Sequence, residues 1–429
     1  MMTASNGAPA SLDPYWWRAA PRQAEPERPL PKGADVVIVG SGFTGTVAAL
    51  HLARAGRHVL VLDRGEPGVG ASTRNAGYVG RTLKHSFAEI MESEGLERAV
   101  TVYREMQQAF DCVLETVETE GIDCRLRRQG RFMMAVTPAQ YEGMARELEL
   151  RKAHLGDDFA MIGRDGQGAE ISSARYCGGA VIPDLAGLHP GLYHQGLLER
   201  ARSAGADIRG QTPVTAVSGD SGRFEVTTKH GTVLAREVLM ATNGYTGGVM
   251  PYLDRRVIPF DAYMIATEPL ADDKVAALLP GGRTFVDWNF NVDFVRRAPD
   301  DPQRILFGGM TGARGDLPTM AGRLKARLTR IFPALADVRI DNVWTGRCAG
   351  TFDMYPHLGS HQGIHYALGY CFAGVPMGTW FGIKAAHRIL RRNDPPSVFA
   401  DRPFPTHPLY GGNPWWVPLV LSWLSRKDA

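Results

Sequence analysis

The stretch VVIVGSGFTGTVAALHLARAGRHVLVLDRG, residues 36–65, sets two apolar runs around a glycine-studded turn and ends just past an aspartate. Reading outward, DVVIV (35–39) is a buried strand, 44–55 a helix with small residues facing a sheet, and HVLVLD (58–63) a second buried strand. Two continuous apolar strands joined through a helix make a β-α-β unit with a parallel pair. Gly40, Gly42 and Gly45 form G-x-G-x-x-G at the strand-to-helix turn, with Phe43 and Thr44 inside the motif. The first glycine permits the tight turn, the second lets a pyrophosphate approach the helix N-terminus, and the third lets helix and strand pack closely. Asp63 ends the second strand about 20 residues on, where an acid binds a ribose diol. Beyond Arg64, no arginine waits there for a 2′-phosphate. A lone glycine motif is weak. Its strand, helix and acid together point to a nucleotide, against the alternative of a glycine turn that only packs a helix. They do not choose between NAD and FAD.

Composition narrows the class. At 429 residues the chain has room for two ordinary domains or one large interleaved one. Hydrophobic content of 44% and charged content of 22% describe a soluble globular protein, and a net charge of +3 is too balanced to point to nucleic acid. The five cysteines are scattered, odd in number and form no C-x-x-C pair, which argues against a zinc site or disulfide framework and fits a reducing compartment. No metal is expected. The first thirty residues hold no apolar signal region, and no stretch reaches the roughly 18 uncharged apolar residues of a spanning helix. The expected location is the cytoplasm.

Along the chain, residues 1–32 read as an extended arm whose DPYWWRAA (13–20) docks on the body. Residues 86–120 read as one helix, 131–136 as a strand and 138–156 as a helix. From 189 to 246 the pattern is helix, strand, β-meander and then a separate buried strand EVLMAT. Residues 257–310 alternate strands with turns, 319–332 are helical, and 380–392 form a last amphipathic helix. No internal repeat or low-complexity tract is visible.

Past Asp63, the small-residue loop GASTRNAG (70–77) resembles the stretch that runs under the isoalloxazine ring in the D-amino-acid oxidase family of flavoproteins. Three later segments resemble that family in order. GADIRGQTPVTAV (205–217) looks like the segment that closes over the adenine side through the backbone around Val214. EVLMATNGYT (237–246) resembles the strand and turn leading out of the flavin domain. CAGTFDMYPHLG (348–359) with GYCFAGVPMGTWFGIKAAHRIL (369–390) resembles the C-terminal flavin strand, glycine loop and helix. Together they cover residues 33–395. The aromatic arm and the tail HPLYGGNPWWVPLVLSWLSR (407–426) resemble the γ-glutamylputrescine oxidoreductase-like branch of the D-amino-acid oxidase, glycine oxidase and sarcosine oxidase family.

The resemblance implies FAD as the cofactor. It also implies a Rossmann-type FAD-binding domain interleaved with an antiparallel-sheet substrate domain, an α/β plus α+β chain. The FAD domain is expected from 33–82, 170–250 and 340–395, the substrate domain from 83–169 and 251–339, and a tail from 396–429. By the same resemblance, Ala71, Ser72, Arg74, Asn75, Ala76 and Gly77 line the ring and phosphates, with a surface salt bridge as the plain alternative for Arg74. FAGVPMG (372–378) brings backbone N–H groups of Gly374, Val375, Met377 and Gly378 toward the pyrimidine carbonyls, and a helix from about Thr379 adds its dipole. A plain glycine turn before a core helix is the alternative. The flavin carries the redox step, so no catalytic triad is expected and none is evident.

One position departs from the family. Amino-acid-oxidising relatives resemble this chain at W-x-G-x-R-P-G-T-x-D, whose arginine grips the substrate carboxylate bidentately. Here WTGRCAGTFD (344–353) puts Cys348 in the arginine's place. Arg347, one residue earlier in a strand, points to the opposite face. The α-carboxylate clamp is therefore absent, which favours an amine over a simple α-amino acid. Cys348 carries either of two readings, a covalent flavin link as in sarcosine oxidases or a small buried hydrophobe. Substrate-contact candidates are Arg131, Tyr263 and Trp288, each with a bland core or salt-bridge reading. His357 and His361 read as proton shuttles or ordinary loop histidines. The expected reaction is oxidation of a primary or secondary amine to an imine, then hydrolysis, with oxygen or another acceptor taking the electrons. The rivals are a D-amino-acid or sarcosine-type enzyme anchored by a residue such as Arg131, and a non-catalytic FAD-containing assembly protein. The tail's tryptophans and basic end fit contact with a subunit or a membrane surface.

Overall fold

β1 (Gly33–Val39) and β2 (Val59–Leu62) pair in parallel, from Val36 opposite Val59 to Val39 opposite Leu62, with α1 (Phe43–Arg54) between them. This computed structural model describes residues 9–22, 24, 28–220 and 222–424. The first sheet runs in the order β17 (His357–His361), β18 (Ile364–Leu368), β11 (Gly231–Met240), β1, β2, β8 (Asp207–Arg209). β9 (Val214–Asp220) and β10 (Arg223–Thr228) fold back antiparallel beside β11. The strand order diverges at β1, whose parallel neighbours are β2 and β11. A crevice outside the carboxyl ends of strands at such a divergence is where open α/β sheets bind ligands.

A second sheet runs in the order β16 (Ile340–Gly350), β12 (Ile258–Thr267), β15 (Ile305–Gly309), β14 (Phe294–Arg297), β13 (Thr284–Asp287), β4 (Arg131–Met134), β6 (Gly178–Ile182), β5 (Ala160–Gly163). Its pairs are antiparallel apart from β13 with β4. One face buries Phe132, Phe285, Phe307 and Val343 against α7 (Asp272–Leu278) and α8 (Leu317–Ile331). β3 (Tyr78–Val79) and β7 (Ala186–Gly187) pair antiparallel as a separate two-stranded sheet.

Several expectations change. Residues 86–120 form two helices, α2 (Phe87–Glu94) and α3 (Leu96–Thr119), because Gly95 adopts φ +91° and ends the first. Both pack into the core shared with α1 and with α9 (Gly374–Ile389), on the first-sheet side. EVLMAT is not a separate strand. It completes the ten-residue β11, which leaves the meander and pairs in parallel with β1 and β18. Helix α7 falls inside the stretch read as strands and turns. α9 starts at Gly374 rather than near Thr379, since Pro376 sits in the first turn, where an amide has no intrahelical partner to lose. Strands β6 and β16 hydrogen-bond within the second sheet, so the pieces 170–250 and 340–395 each supply both sheets.

The remaining helices are α4 (Pro138–Leu155), α5 (Pro190–Ser203), α6 (Pro251–Asp254) and α10 (Val417–Leu424). Within the arm, DPYWWRAA docks on the body as read: a short turn at Tyr15–Trp17 buries Trp16 completely, against His189 and Trp344. Tyr410 and Val417 of the tail pack on Ile258, while Leu409 and Trp415 face outward. The tail's basic end at 425–429 and the arm's first eight residues lie outside the described residues. Among the described residues, no helix is long and apolar enough to cross a membrane.

Candidate active site

The glycines do what their spacing implies. Gly40 adopts φ +103°, and a Cβ on Gly45 would lie 1.9 Å from the Gly40 carbonyl oxygen, so only glycine lets α1 sit this close to β1. Gly42 caps α1 without a side-chain acceptor, and the Phe43 N–H donates to Ser72 Oγ at 2.9 Å. The amides of Thr44 and Gly45 are first-turn donors with no intrahelical partner. Asp63 Oδ2 accepts from Ser41 N–H at 2.8 Å and Ser41 Oγ at 2.6 Å, and Oδ1 accepts from Gly65 N–H at 3.0 Å. A carboxylate accepts about four hydrogen bonds, so one position remains.

Two residues that the motif reading missed hold this turn. Arg22 donates to His194 Nδ1 at 3.2 Å, which leaves His194 Nε2–H to donate to the Ser41 carbonyl at 2.7 Å. Burial pulls His194 down to about 4, so the ring is neutral. Their pairing joins arm, α5 and glycine turn, and no local pattern announces it.

One cavity of about 1540 Å³ runs from this turn to the second sheet. That exceeds the roughly 300–1,000 Å³ of an ordinary small-molecule pocket and has room for a dinucleotide with a substrate beside it. Gly40, Gly42, Phe43, Thr44, Asp63 and Arg64 line one end, and Val214 lies in its wall. Ala71, Ser72, Arg74, Asn75, Ala76, Cys348, Gly374 and Val375 line its middle, with Arg131 and Trp288 further along.

The other expected residues lie behind the wall. Gly77 has φ +70°, and a Cβ there would meet the Leu188 carbonyl at 2.1 Å. Met377 is in the core, and Gly378 lies beside Thr44 and Phe43 of α1, with a close helix–helix approach one turn on at Gly382, where a Cβ would lie 2.8 Å from the Thr44 carbonyl. Thr379 bonds Tyr193 at 3.1 Å and the Val375 carbonyl at 3.0 Å. Tyr263 is a correction. On β12, Ala262 and Met264 face the cavity, so alternation turns Tyr263 to the α8 core, where its hydroxyl donates to the Ala313 carbonyl at 3.1 Å. His357 bonds Asp353 at 3.0 Å and stacks on Phe404, and His361 stacks on Tyr252; neither lines the cavity.

Residues 74–80 cross the second sheet strand by strand. The Arg74 carbonyl accepts from Trp344 Nε1 at 2.9 Å, and Arg74 Nη1 donates to the Thr345 carbonyl at 3.0 Å, both on β16. Arg74 also covers the Trp17 ring at 4.6 Å, so it is a tether rather than a surface ion pair. Arg296 of β14 donates to the carbonyls of Ala76 (2.9 Å), Gly77 (3.2 Å) and Leu188 (3.0 Å). The Tyr78 hydroxyl lies 3.0 Å from the Phe285 carbonyl and 2.8 Å from that of Val295. Val79 reaches Arg131 on β4.

Opposite this segment, the N-terminus of α9 opens on the cavity without a side-chain cap. It follows two left-handed residues, Cys371 (φ +46°) and Phe372 (φ +80°), a conformation that strains a bulky side chain by about 1–3 kcal/mol. Burial pushes the Cys348 thiol up to about 12, so it is neutral. Arg347, expected to point away, edges the cavity half-exposed, its Nε donating to its cross-strand neighbour Asp261 at 3.2 Å. Two helix N-termini whose N-cap residues supply no side-chain acceptor, an acid at the end of β2 and a glycine cradle, all facing one cavity, fit a bound FAD.

Comparison with known proteins agrees. A family described as DAO, FAD dependent oxidoreductase, matches residues 35–388. The chain is 30% identical over 401 residues to the γ-glutamylputrescine oxidoreductase of Escherichia coli, covering 92% of each chain. It is 28% identical over 386 residues to a probable oxidoreductase, OrdL, of Haemophilus influenzae, covering 88% of each. Among solved structures, glycine oxidase from Geobacillus kaustophilus superimposes with a TM-score of 0.72 at 22% identity, covering 88% of this chain and 99% of that one. At that identity the likeness is one of fold.

Proposed function

The chain belongs to the DAO family of FAD-dependent oxidoreductases, and from that premise we propose that it oxidises the C–N bond of a primary or secondary amine. Bound FAD would supply the two-electron chemistry, taking a hydride equivalent from the carbon that bears nitrogen, so that water hydrolyses the resulting imine. In this reading the α1 amides hold the pyrophosphate, Asp63 the ribose, and the backbone at Val214 the adenine side. Residues 71–77 lie along the ring, held in place by Arg296 and Trp344. The α9 amides and dipole stabilise negative charge that develops at the facing end. The first sheet with α1, α2, α3, α5 and α9 forms the cofactor side, and the second sheet forms the substrate side. Oxygen or another acceptor takes the electrons. The flavin is held without a covalent bond, since a neutral thiol is a poor nucleophile.

The observation that carries the amine reading is Cys348. It lines the cavity at the place of the α-carboxylate arginine, uncharged, while neighbouring Arg347 is already paired with Asp261. Anaerobic titration of the holoenzyme with polyamines, N-methyl amines and D- and L-amino acids tests it. Bleaching of the flavin by an amine without an α-carboxylate supports the proposal, and bleaching by α-amino acids alone refutes it. A D-amino-acid or sarcosine-type reaction anchored by Arg131 is the second reading, and it requires the α-carboxylate of the substrate to reach that buried guanidinium.

A further inference from the structure

Arg131 is 5% exposed and lines the cavity, yet no carboxylate among the described residues forms an ion pair with it. Its hydrogen bonds are long, Nε to Thr284 Oγ1 at 3.3 Å and Nη2 to the Val79 carbonyl at 3.4 Å, and Nη1 has no acceptor among the described residues. The guanidinium rests 4.8 Å over the Tyr78 ring. Burial draws it down to about 10, which still leaves it charged at neutral pH. The cations around it have partners: Arg81 pairs with Asp184, and Arg296 donates to four carbonyls. A buried charge without a partner is expensive, and here the open side faces a ligand cavity. Gly80 keeps that side clear, because a Cβ there would lie 2.8 Å from Arg131 Nη1.

We infer that Arg131 holds a carboxylate carried far from the reacting nitrogen, so that the substrate is an amine with a remote carboxylate. This rests on the amine reading above. The position is not a displaced copy of the α-carboxylate clamp. Cys348 on β16 and Arg131 on β4 are separated by β12, β15, β14 and β13, five steps of about 4.8 Å along the sheet. From Gly77, where the ring-lining segment ends, to Gly80 beside Arg131 the chain advances three residues, at most about 10 Å. An α-carboxylate, bonded to the reacting carbon, does not reach that far, whereas a carboxylate on a spacer of several bonds does. The planar fork of an arginine matches a carboxylate bidentately, which sets this anion above a point-charge partner.

The test uses holoenzyme and two probes. Glutarate is titrated while the flavin band is followed, and ω-amino carboxylates of increasing length are compared with their methyl esters as substrates. In the parent enzyme, glutarate perturbs the flavin spectrum and each acid outperforms its ester in kcat/KM. Arg131→Met weakens glutarate binding about 10- to 100-fold and removes the preference for acid, chiefly through KM. Gly80→Ala, which keeps the charge but displaces Nη1, does the same to a smaller extent and carries the test if Arg131→Met does not fold. Glutarate binding unchanged in folded, flavin-loaded Arg131→Met overturns the inference, as does equal use of acid and ester by the parent enzyme. If no amine is oxidised and glutarate binding still depends on Arg131, the anchor stands and the amine reading fails.

Discussion

Arg296 and Ala76, 220 residues apart in sequence, meet through a 2.9 Å hydrogen bond from Nη1 to the carbonyl oxygen. The same nitrogen reaches the carbonyls of Gly77 and Leu188, and the side chain is buried with no ion-paired carboxylate among the described residues. A guanidinium in this position fixes the peptide planes at Ala76 and Gly77 from behind the cavity wall.

Replacing Arg296 with Met removes the side-chain donor from the carbonyls of Ala76 and Leu188, whereas the Gly77 carbonyl keeps the Leu188 N–H at 2.8 Å. The expected loss of stability is about 1–3 kcal/mol. The variant should also lose flavin on dialysis faster than the parent, with Arg296→Lys in between. Thermal unfolding and the flavin-to-protein ratio check both. Flavin retention equal to the parent's would remove the tethering role.

Gly45→Ala inserts a methyl into the 1.9 Å approach to the Gly40 carbonyl. Backbone must move to relieve it, at about 1–3 kcal/mol or more. The variant is expected to purify with little flavin, whereas Ala at Gly56, which has open space but φ +76°, should retain its flavin and show only backbone strain. Absorbance after purification distinguishes them.

His194 gives a pH signature. Its ordinary value is 6.5 and burial lowers it to about 4. Between those values the unfolded chain binds a proton that the folded chain refuses, so stability falls as pH drops through the window, by up to about 3 kcal/mol. His51 and His189 are lowered in the same direction by burial and add to the slope. His194→Gln should flatten part of the decline in melting temperature between pH 7 and 5. A slope identical to the parent's would show that His194 is not held neutral.

The readable part of this molecule was local in sequence. The glycine turn, its flanking strands and Asp63 lie within 30 residues, and the role of Gly45 follows from its approach to Gly40 inside that unit. Cys348 was legible as a departure because a dense motif surrounds it. Arg296, His194 and Arg22 were not, because their partners are backbone carbonyls and a ring nitrogen distant in the chain, which leave no spacing pattern. Tyr263 failed for a different reason. Strand alternation says which residues share a face, yet which face meets the cavity depends on packing against α8. The start of α9 was hidden by Gly374, Pro376 and Gly378, residues that read as a loop but sit in the first turns of a helix packed tightly on α1.

Cys348 permits a simple chemical check of the cofactor bond. Precipitating the holoenzyme in acid should leave all yellow colour in the supernatant, and Cys348→Ser should carry as much flavin as the parent. Colour retained in the pellet, and lost in the Ser variant, would establish a thioether at this position.

The most direct measurement is anaerobic stopped-flow reduction of the holoenzyme by matched pairs, each an amine and the α-amino acid that differs from it only by the α-carboxylate. The absent clamp at Cys348 predicts that the amine of at least one pair reduces the flavin faster than its amino acid. Faster reduction by the α-amino acid in every pair would contradict the account and place an α-carboxylate site elsewhere in the cavity.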